Sequence, residues 1–214
     1  PKTHLYTTGK VRQNGQPLPM YTLLNLNEDC QGLSVSNEYK GLGVTTNAAP
    51  LKEAFARKKA EGKDVKVAVT FPGGTHDLWM LYWLAAGGID PDKDVSTIVL
   101  PPPQMVANMM DAFCVGGPWN EQLVNQGIGF TAATTGEIWP RHPEKVLAMR
   151  ADVVDANPRA TKAIMMAVME AQMWCDKAEN KQEMAEILGR RQWFNVPVAD
   201  IIGRIKGDIN YGRG

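Results

Sequence analysis

The sequence predicts an α/β fold, a parallel-rich sheet flanked by helices, and three observations carry this reading. Apolar runs at residues 65–71, 95–100, 111–115 and 128–133 alternate with stretches of helical periodicity. Glycine and proline punctuate each junction. The spacing from strand to strand leaves room for a crossover helix, as βαβ units require. Ligands of such sheets lie at the carboxyl ends of the strands. A chain of 214 residues with 44% apolar content can bury a core in one large or two small domains.

The first twenty residues contain Gly9, Asn14-Gly15, Pro17 and Pro19 and read as extended chain and a turn; Asn14-Gly15 between Lys10-Val11 and Leu18 suits a hairpin. Residues 21–26 read as a strand. Residues 27–32 offer capping groups to a short helix over 33–40, stopped by Gly41 and Gly43, which sets Gln31 near a helix N-terminus. A charged amphipathic helix over 51–60 closes at Gly62 and leads into the strand at 65–71. Gly73-Gly74 then turns the chain into a helix over 75–86, which Thr75 can cap. Its first amide N–H groups face the space above the strand end, a setting that favours a small anion. The same pattern also describes an ordinary βα connection.

Residues 90–94 form a turn before the strand at 95–100. Pro101-Pro102-Pro103 makes a stiff corner ahead of a short helix from Gln104, and Gly116-Gly117-Pro118 ends the strand at 111–115. A helix over 119–125 stops at Gly127, and 128–133 is a fourth strand. Three turn-forming clusters therefore sit at strand ends on one rim. Residues 146–150 read as a short strand, and Asn157-Pro158 opens a long helix to about residue 177. Its Met165, Met166, Met169, Met173 and Trp174 recur at helical spacing with Ile164, Ala167 and Val168 and read as core packing. Residues 183–188 and 198–205 give two further helices, the last opened by Pro197 and closed by Gly207. Between the helix at 104–109 and the strand at 111–115 no loop residues remain, although αβ connections usually take about 2–6. Either the molecule is compressed there or residues are missing from the sequence.

Composition excludes several function classes. Lys+Arg and Asp+Glu both number 23, so no net charge draws the molecule to nucleic acid or to an acidic membrane surface. The helical apolar run at 78–86 is too short to cross a bilayer. Cys30, Cys114 and Cys175 are odd in number and unevenly spaced, which argues against a disulfide framework and a metal cluster and for small buried side chains. The chain begins at Pro1, so a targeting signal is either cleaved or not represented. No nucleophile triad, paired carboxylates, Walker motif or Rossmann fingerprint occurs at usable spacing, so the residues point to no enzyme, cofactor or metal site. Taken singly, His76 reads as a capping or packed histidine and Lys145 as a solvated charge beside a His-Pro turn. His4 and His142 have no partner pattern.

Five motifs, taken together and in order, carry a resemblance: Phe71-Pro72-Gly73-Gly74-Thr75-His76-Asp77-Leu78-Trp79, Pro101-Pro102-Pro103-Gln104-Met105-Val106-Ala107-Asn108, Asp111-Ala112-Phe113-Cys114-Val115-Gly116, Pro118-Trp119-Asn120 and His142-Pro143-Glu144-Lys145. From about Thr8 to Tyr211 the chain resembles the nitrate- and bicarbonate-binding proteins of bacterial ABC transporters. The resemblance implies a type II periplasmic-binding-protein-like fold of two lobes closing on a small oxyanion, tethered in the periplasm as a lipoprotein and serving a transporter permease. Such chains are roughly twice this long. It therefore implies that residues 1–25 link to or belong to the first lobe, 26–150 form the second-lobe α/β domain, and 151–214 are C-terminal helices returning toward the first lobe. The family carries a few loop residues between the positions of Met109 and Met110, and many members have an acidic residue where this chain has Gly117.

The resemblance further implies ligand contacts from Gln31, His76, the Pro102 region, the backbone at Gly116 and the side chain of Lys145. Nitrate is planar and weakly basic and is best held by several donors, here an amide, an imidazole N–H, backbone N–H groups and an ammonium. Bicarbonate-binding relatives tend to have an acidic residue at the position of Lys145, with a cation nearby, so a lysine favours nitrate or nitrite. Two other readings stand beside this one: a bicarbonate-binding subunit, and a cytoplasmic nitrate sensor on the same lobes that regulates a protein partner. A distant similarity to thiamine-pyrimidine synthases would use His76 or a cysteine chemically.

Overall fold

The computed structural model describes residues 2–107 and 110–213. The junction where no loop residues remain runs through Asn108 and Met109 and lies outside the described residues. In chain order the elements are α1 (Lys2–Thr7), β1 (Met20–Asn25), β2 (Gln31–Ser36), α2 (Leu51–Ala60), β3 (Lys66–Val69), α3 (Thr75–Ala86), β4 (Ser96–Val99), α4 (Pro102–Ala107), β5 (Ala112–Gly116), α5 (Trp119–Asn125), β6 (Gly129–Thr134), α6 (Thr135–Ile138), β7 (Val146–Arg150), α7 (Ala151–Ala156), α8 (Pro158–Asp176), α9 (Lys181–Gly189) and α10 (Ala199–Lys206).

The main sheet has the strand order β4-β3-β5-β2-β6. β3 is parallel to β4 and β5, while β2 runs antiparallel to both β5 and β6. The four strands read from the sequence are thus mutually parallel, and β2 is inserted against them. This direction puts the first residue of β2, Gln31, level with the last residue of β5, Gly116. A small separate sheet pairs β1 with β7 in antiparallel register, Tyr21 opposite Met149.

Side chains alternate across the sheet and bury two layers. Leu33, Val35, Val67, Val69, Ala112 and Cys114 face one side and pack with Leu51 and Phe55 of α2 and Met80, Trp83 and Leu84 of α3. Ala68, Phe113 and Val115 face the other and pack with Met105, Val106 and Leu123 of α4 and α5. A third cluster, with Ala185, Val196 and Ile201 at its centre, joins α9 to α10. Each fully buried large side chain contributes about 1.5–3 kcal/mol of hydrophobic stabilisation. At the sheet edge remote from the strand ends, buried Asp111 accepts hydrogen bonds from Lys58 Nζ (2.6 Å), from the Lys66 amide (2.7 Å) and from the Tyr39 hydroxyl. Burial and the Asp111 carboxylate push the Tyr39 phenol above its usual range.

Several sequence expectations are corrected. Within 33–40 the expected α-helix is absent: residues 33–36 belong to strand β2 and Asn37–Tyr39 makes a 3-10 turn. Leu33 and Val35 alternate with Gly32, Ser34 and Ser36, a strand period whose apolar residues find partners on one face. The N-terminal residues form α1, and of the expected hairpin only the turn exists: Gln13 and Gln16 bridge around Asn14 and Gly15, both in the left-handed region. The methionine face of α8 is not core among the described residues, since Ile164, Met166, Met169 and Met173 are exposed, Met173 by 67%. Of the cysteines, Cys114 is buried while Cys30 and Cys175 are half-buried. Asn157 is the N-cap residue of α8 with Pro158 following, as expected, while its side chain donates to the Val153 carbonyl. Helices α6 and α7 are additions to the sequence reading.

Gly32 lies in β2 where a methyl group would come within 2.9 Å of the buried Asn120 amide carbon, and that amide donates to the Gly32 carbonyl and the Ser34 hydroxyl. Gly32→Ala is expected to lower unfolding stability by about 1–3 kcal/mol through overpacking, read as a shifted midpoint in urea. An unchanged midpoint would mean that Asn120 moves aside without cost.

Candidate functional site

The carboxyl ends of β3, β4 and β5 and the first residue of β2 converge on one rim, where an open cavity of about 570 Å³ lies. Four of the five residues singled out from the sequence line it: His76, Pro102, Gly116 and Lys145. The fifth, Gln31, is fully buried behind the wall and joins the site through hydrogen bonds. Each arrives by local chemistry. Gly73, with φ +69°, turns the chain after β3, and Asp77 Oδ2 accepts the Gly73 amide at 2.7 Å, closing the first turn of α3. Gly74 is the N-cap, so the expectation that Thr75 caps this helix is corrected: its hydroxyl instead accepts from Gln31 Nε2 at 2.7 Å.

His76 follows in the first turn of α3, its Nδ1 2.8 Å from Thr70 Oγ1. Burial first, and then the positive charge of Lys145, lowers its pKa from 6.5 to about 4. The ring is therefore neutral near pH 7, carrying one N–H and one acceptor nitrogen. When Thr70 donates to Nδ1, the proton resides on Nε2. Pro102 opens α4 and contributes shape without an N–H. Gly116 ends β5 opposite Gln31.

Lys145 is held by a short antiparallel pairing of residues 142–145 with residues 26–29. The Leu26 amide donates to the Lys145 carbonyl at 2.8 Å, the Lys145 amide to Asn27 Oδ1 at 2.9 Å, and Glu28 bridges Pro143. Its ammonium, half exposed, contacts Oε1 of Glu144, whose side chain is only 1% exposed. The other oxygen of Glu144 accepts from Gln31 Nε2. Gln31 thus has both amide hydrogens engaged, one by Thr75 and one by Glu144, and its Oε1 faces the Cys114 thiol at 3.7 Å. It opens no helix of its own, as the sequence expectation of a helix over 33–40 had it, but starts β2 and lies against Thr75, the first residue of α3. Burial pushes both the Cys30 and Cys114 thiols up, which keeps them protonated.

His142 has partners after all. It is buried, with Nε2 2.7 Å from Thr135 Oγ1 and its ring 4.8 Å from that of Trp79. The sequence reading missed Glu144, Thr70 and Arg204, all of which line the cavity. Glu144 adjoins Lys145 in the chain, and that adjacency was the available signal. Among the described residues no group of three metal-ligating side chains comes together, and no helix is long and apolar enough to cross a membrane.

The α/β rim thus gathers a lysine, a neutral histidine and a strand-end glycine around an open cavity. The model of the NMT1-like family matches residues 1–189, and the chain belongs to that family. It is 59% identical over its whole length to the nitrate/nitrite binding protein NrtA of Synechocystis sp. and 42% identical over 99% of its length to the bicarbonate-binding protein CmpA of Synechococcus elongatus. In each case it spans 48% of the relative, so the chain covers about half the length of the curated relatives it matches. The crystal structure of the periplasmic nitrate-binding protein NrtA from Synechocystis superposes with a TM-score of 0.92 over the whole chain and 55% of that structure.

Because the folded state keeps His76 neutral down to about pH 4 while the unfolded chain protonates it near 6.5, the unfolded state binds the extra proton in that window. The His76 contribution is fully present above pH 6.5 and is lost as pH falls toward 4. Wild-type protein is expected to lose more thermal stability between pH 7 and pH 5 than His76→Gln. Equal losses in melting scans of the two proteins would show that His76 is not held neutral.

Proposed function

We propose that this chain is part of a solute-binding protein that captures nitrate, or nitrite, in the periplasm and hands it unchanged to the permease of an ABC transporter. The observation that carries the reading is the way Glu144 is received. A carboxylate is a planar, delocalised oxyanion, and its two oxygens take one donor each, Lys145 Nζ and Gln31 Nε2. Donors set to grip a planar carboxylate are suited to a planar nitrate brought to the same rim. In the proposed complex the Lys145 ammonium supplies the charge, His76 donates its one N–H, Gln31 exchanges its bond to Glu144 for one to the anion, and Pro102 and Gly116 give the contact its shape.

Lysine at position 145 favours nitrate over bicarbonate, which would pair a cation with an acidic residue there, and the higher identity to a nitrate/nitrite binding protein than to a bicarbonate-binding one supports the same choice. On this reading β1 and β7, paired outside the main sheet, belong to the passage between two lobes, residues 26–150 are the second lobe, and 151–214 turn back toward the first. The protein acts by binding and release, and it is held at the outer face of the inner membrane by a lipid anchor.

Titration calorimetry of the full-length protein with nitrate, nitrite, bicarbonate and sulfate tests this. Nitrate or nitrite should bind most tightly, and heat from bicarbonate alone would move the assignment to the alternative ligand. Lys145→Glu is expected to weaken nitrate binding at least about tenfold, since a charge-assisted hydrogen bond is worth about 1.5–3 kcal/mol and here gives way to repulsion. Unchanged affinity would remove Lys145 from the site.

A further inference from the structure

The cavity extends well past the oxyanion end. Beyond Gly116 its wall is apolar, formed by Trp119, Leu188, Phe194, Ile201 and Ile205, with the Trp119 and Phe194 rings edge to face at 6.3 Å. Its volume of about 570 Å³ compares with about 30 Å³ for one water in the liquid and falls in the range of sites for organic molecules of several carbons. A triatomic or tetra-atomic anion leaves most of it unfilled.

Between the polar end and this apolar wall stands Arg204, on α10. Its Nη2 donates to the Cys30 carbonyl at 3.0 Å, and its Cδ passes where a side chain on Gly117 would lie. Nη1 is buried without a hydrogen-bond partner, and Arg204 joins no ion pair among the described residues. Glu121 is the carboxylate whose charge reaches it, and it makes no contact with the guanidinium close enough to count as an ion pair. Cys30, to which Arg204 donates, and Gly117, beside which its side chain passes, are the immediate neighbours of Gln31 and Gly116, so the guanidinium sits one residue outside the proposed nitrate contacts. A buried guanidinium N–H without an acceptor is costly, and it is most strongly relieved by a carboxylate received in the two-pronged manner of arginine.

We propose that the cavity holds a second ligand subsite, for a small organic monocarboxylate, whose carboxylate engages Arg204 and whose hydrocarbon body lies against Trp119, Phe194, Ile201 and Ile205. The charge selects an anion, and the wall selects a tail. This subsite does not depend on nitrate being the ligand at Lys145.

The test is calorimetry of the full-length protein with acetate, butyrate and hexanoate, each alone and then with nitrate present. Hexanoate should bind at least tenfold more tightly than acetate, with butyrate between them, and Arg204→Met should weaken hexanoate at least tenfold. Should that variant fold poorly, Gly117→Ala provides the second reading: its new methyl would lie 2.7 Å from Arg204 Cδ and push the guanidinium away, so hexanoate should again weaken. Absence of hexanoate binding, which is also the outcome if another segment of the full chain covers the apolar wall, overturns the proposal. So does binding that ignores tail length, or that survives loss of Arg204 in a folded variant. The nitrate titration reads the Lys145 end separately, so the two assignments fail independently.

Discussion

Strand β2 runs against the direction of the other four strands of the main sheet, and the arrangement of the rim follows from that reversal. All six of its residues are buried, and it is hydrogen-bonded along both edges, to β5 on one side and β6 on the other. Because it is antiparallel, its beginning meets the ends of the parallel strands. Gln31 therefore stands beside Gly116 and under the first turn of α3, where its amide can tie Thr75 to Glu144. A parallel strand in the same place would bring Ser36 to the rim and carry Gln31 to the opposite edge of the sheet, beside Asp111.

The rim balances charge closely. One buried carboxylate, Glu144, faces one half-exposed ammonium, Lys145, while the imidazole between strand end and helix is kept neutral by burial. A carboxylate removed from water is tolerable when every oxygen is paired, and here both are. The Lys145 ammonium and the Gln31 amide are thus already engaged by a planar carboxylate within the rim.

The helices beyond β7 behave differently from the sheet layers. α8 buries only Thr161 and leaves a row of Ile164, Met166, Met169 and Met173 in solvent, although its apolar spacing is that of a core helix. α9 and α10 close a third small core of their own and bring Arg204 and an apolar wall up to the cavity. The molecule thus has a compact three-layered part that builds one end of the cavity and a looser helical part that builds the other.

By itself the sequence determined the local elements. Strand periods at β3 to β6, the turn at Gly73-Gly74, the helices over 51–60, 75–86 and 119–125, and the proline and glycine clusters at strand ends all follow from contacts within a few residues, and each stands where the pattern put it. His76, Pro102, Gly116 and Lys145 were marked by the family resemblance and not by any local pattern, and the structure places all four around one cavity. Tertiary structure decided what depends on partners far along the chain. Whether residues 31–36 became helix or strand was settled by β5 and β6, and Gln31 found its bond with Glu144 across 113 residues. The hydrogen-bonding capacity of a backbone segment can be met locally by a helix or distantly by neighbouring strands, and the choice between them lies in residues the local pattern does not contain. For the same reason spacing alone misread α8: periodicity states that a helix has an apolar face, and only the packed molecule states what that face meets.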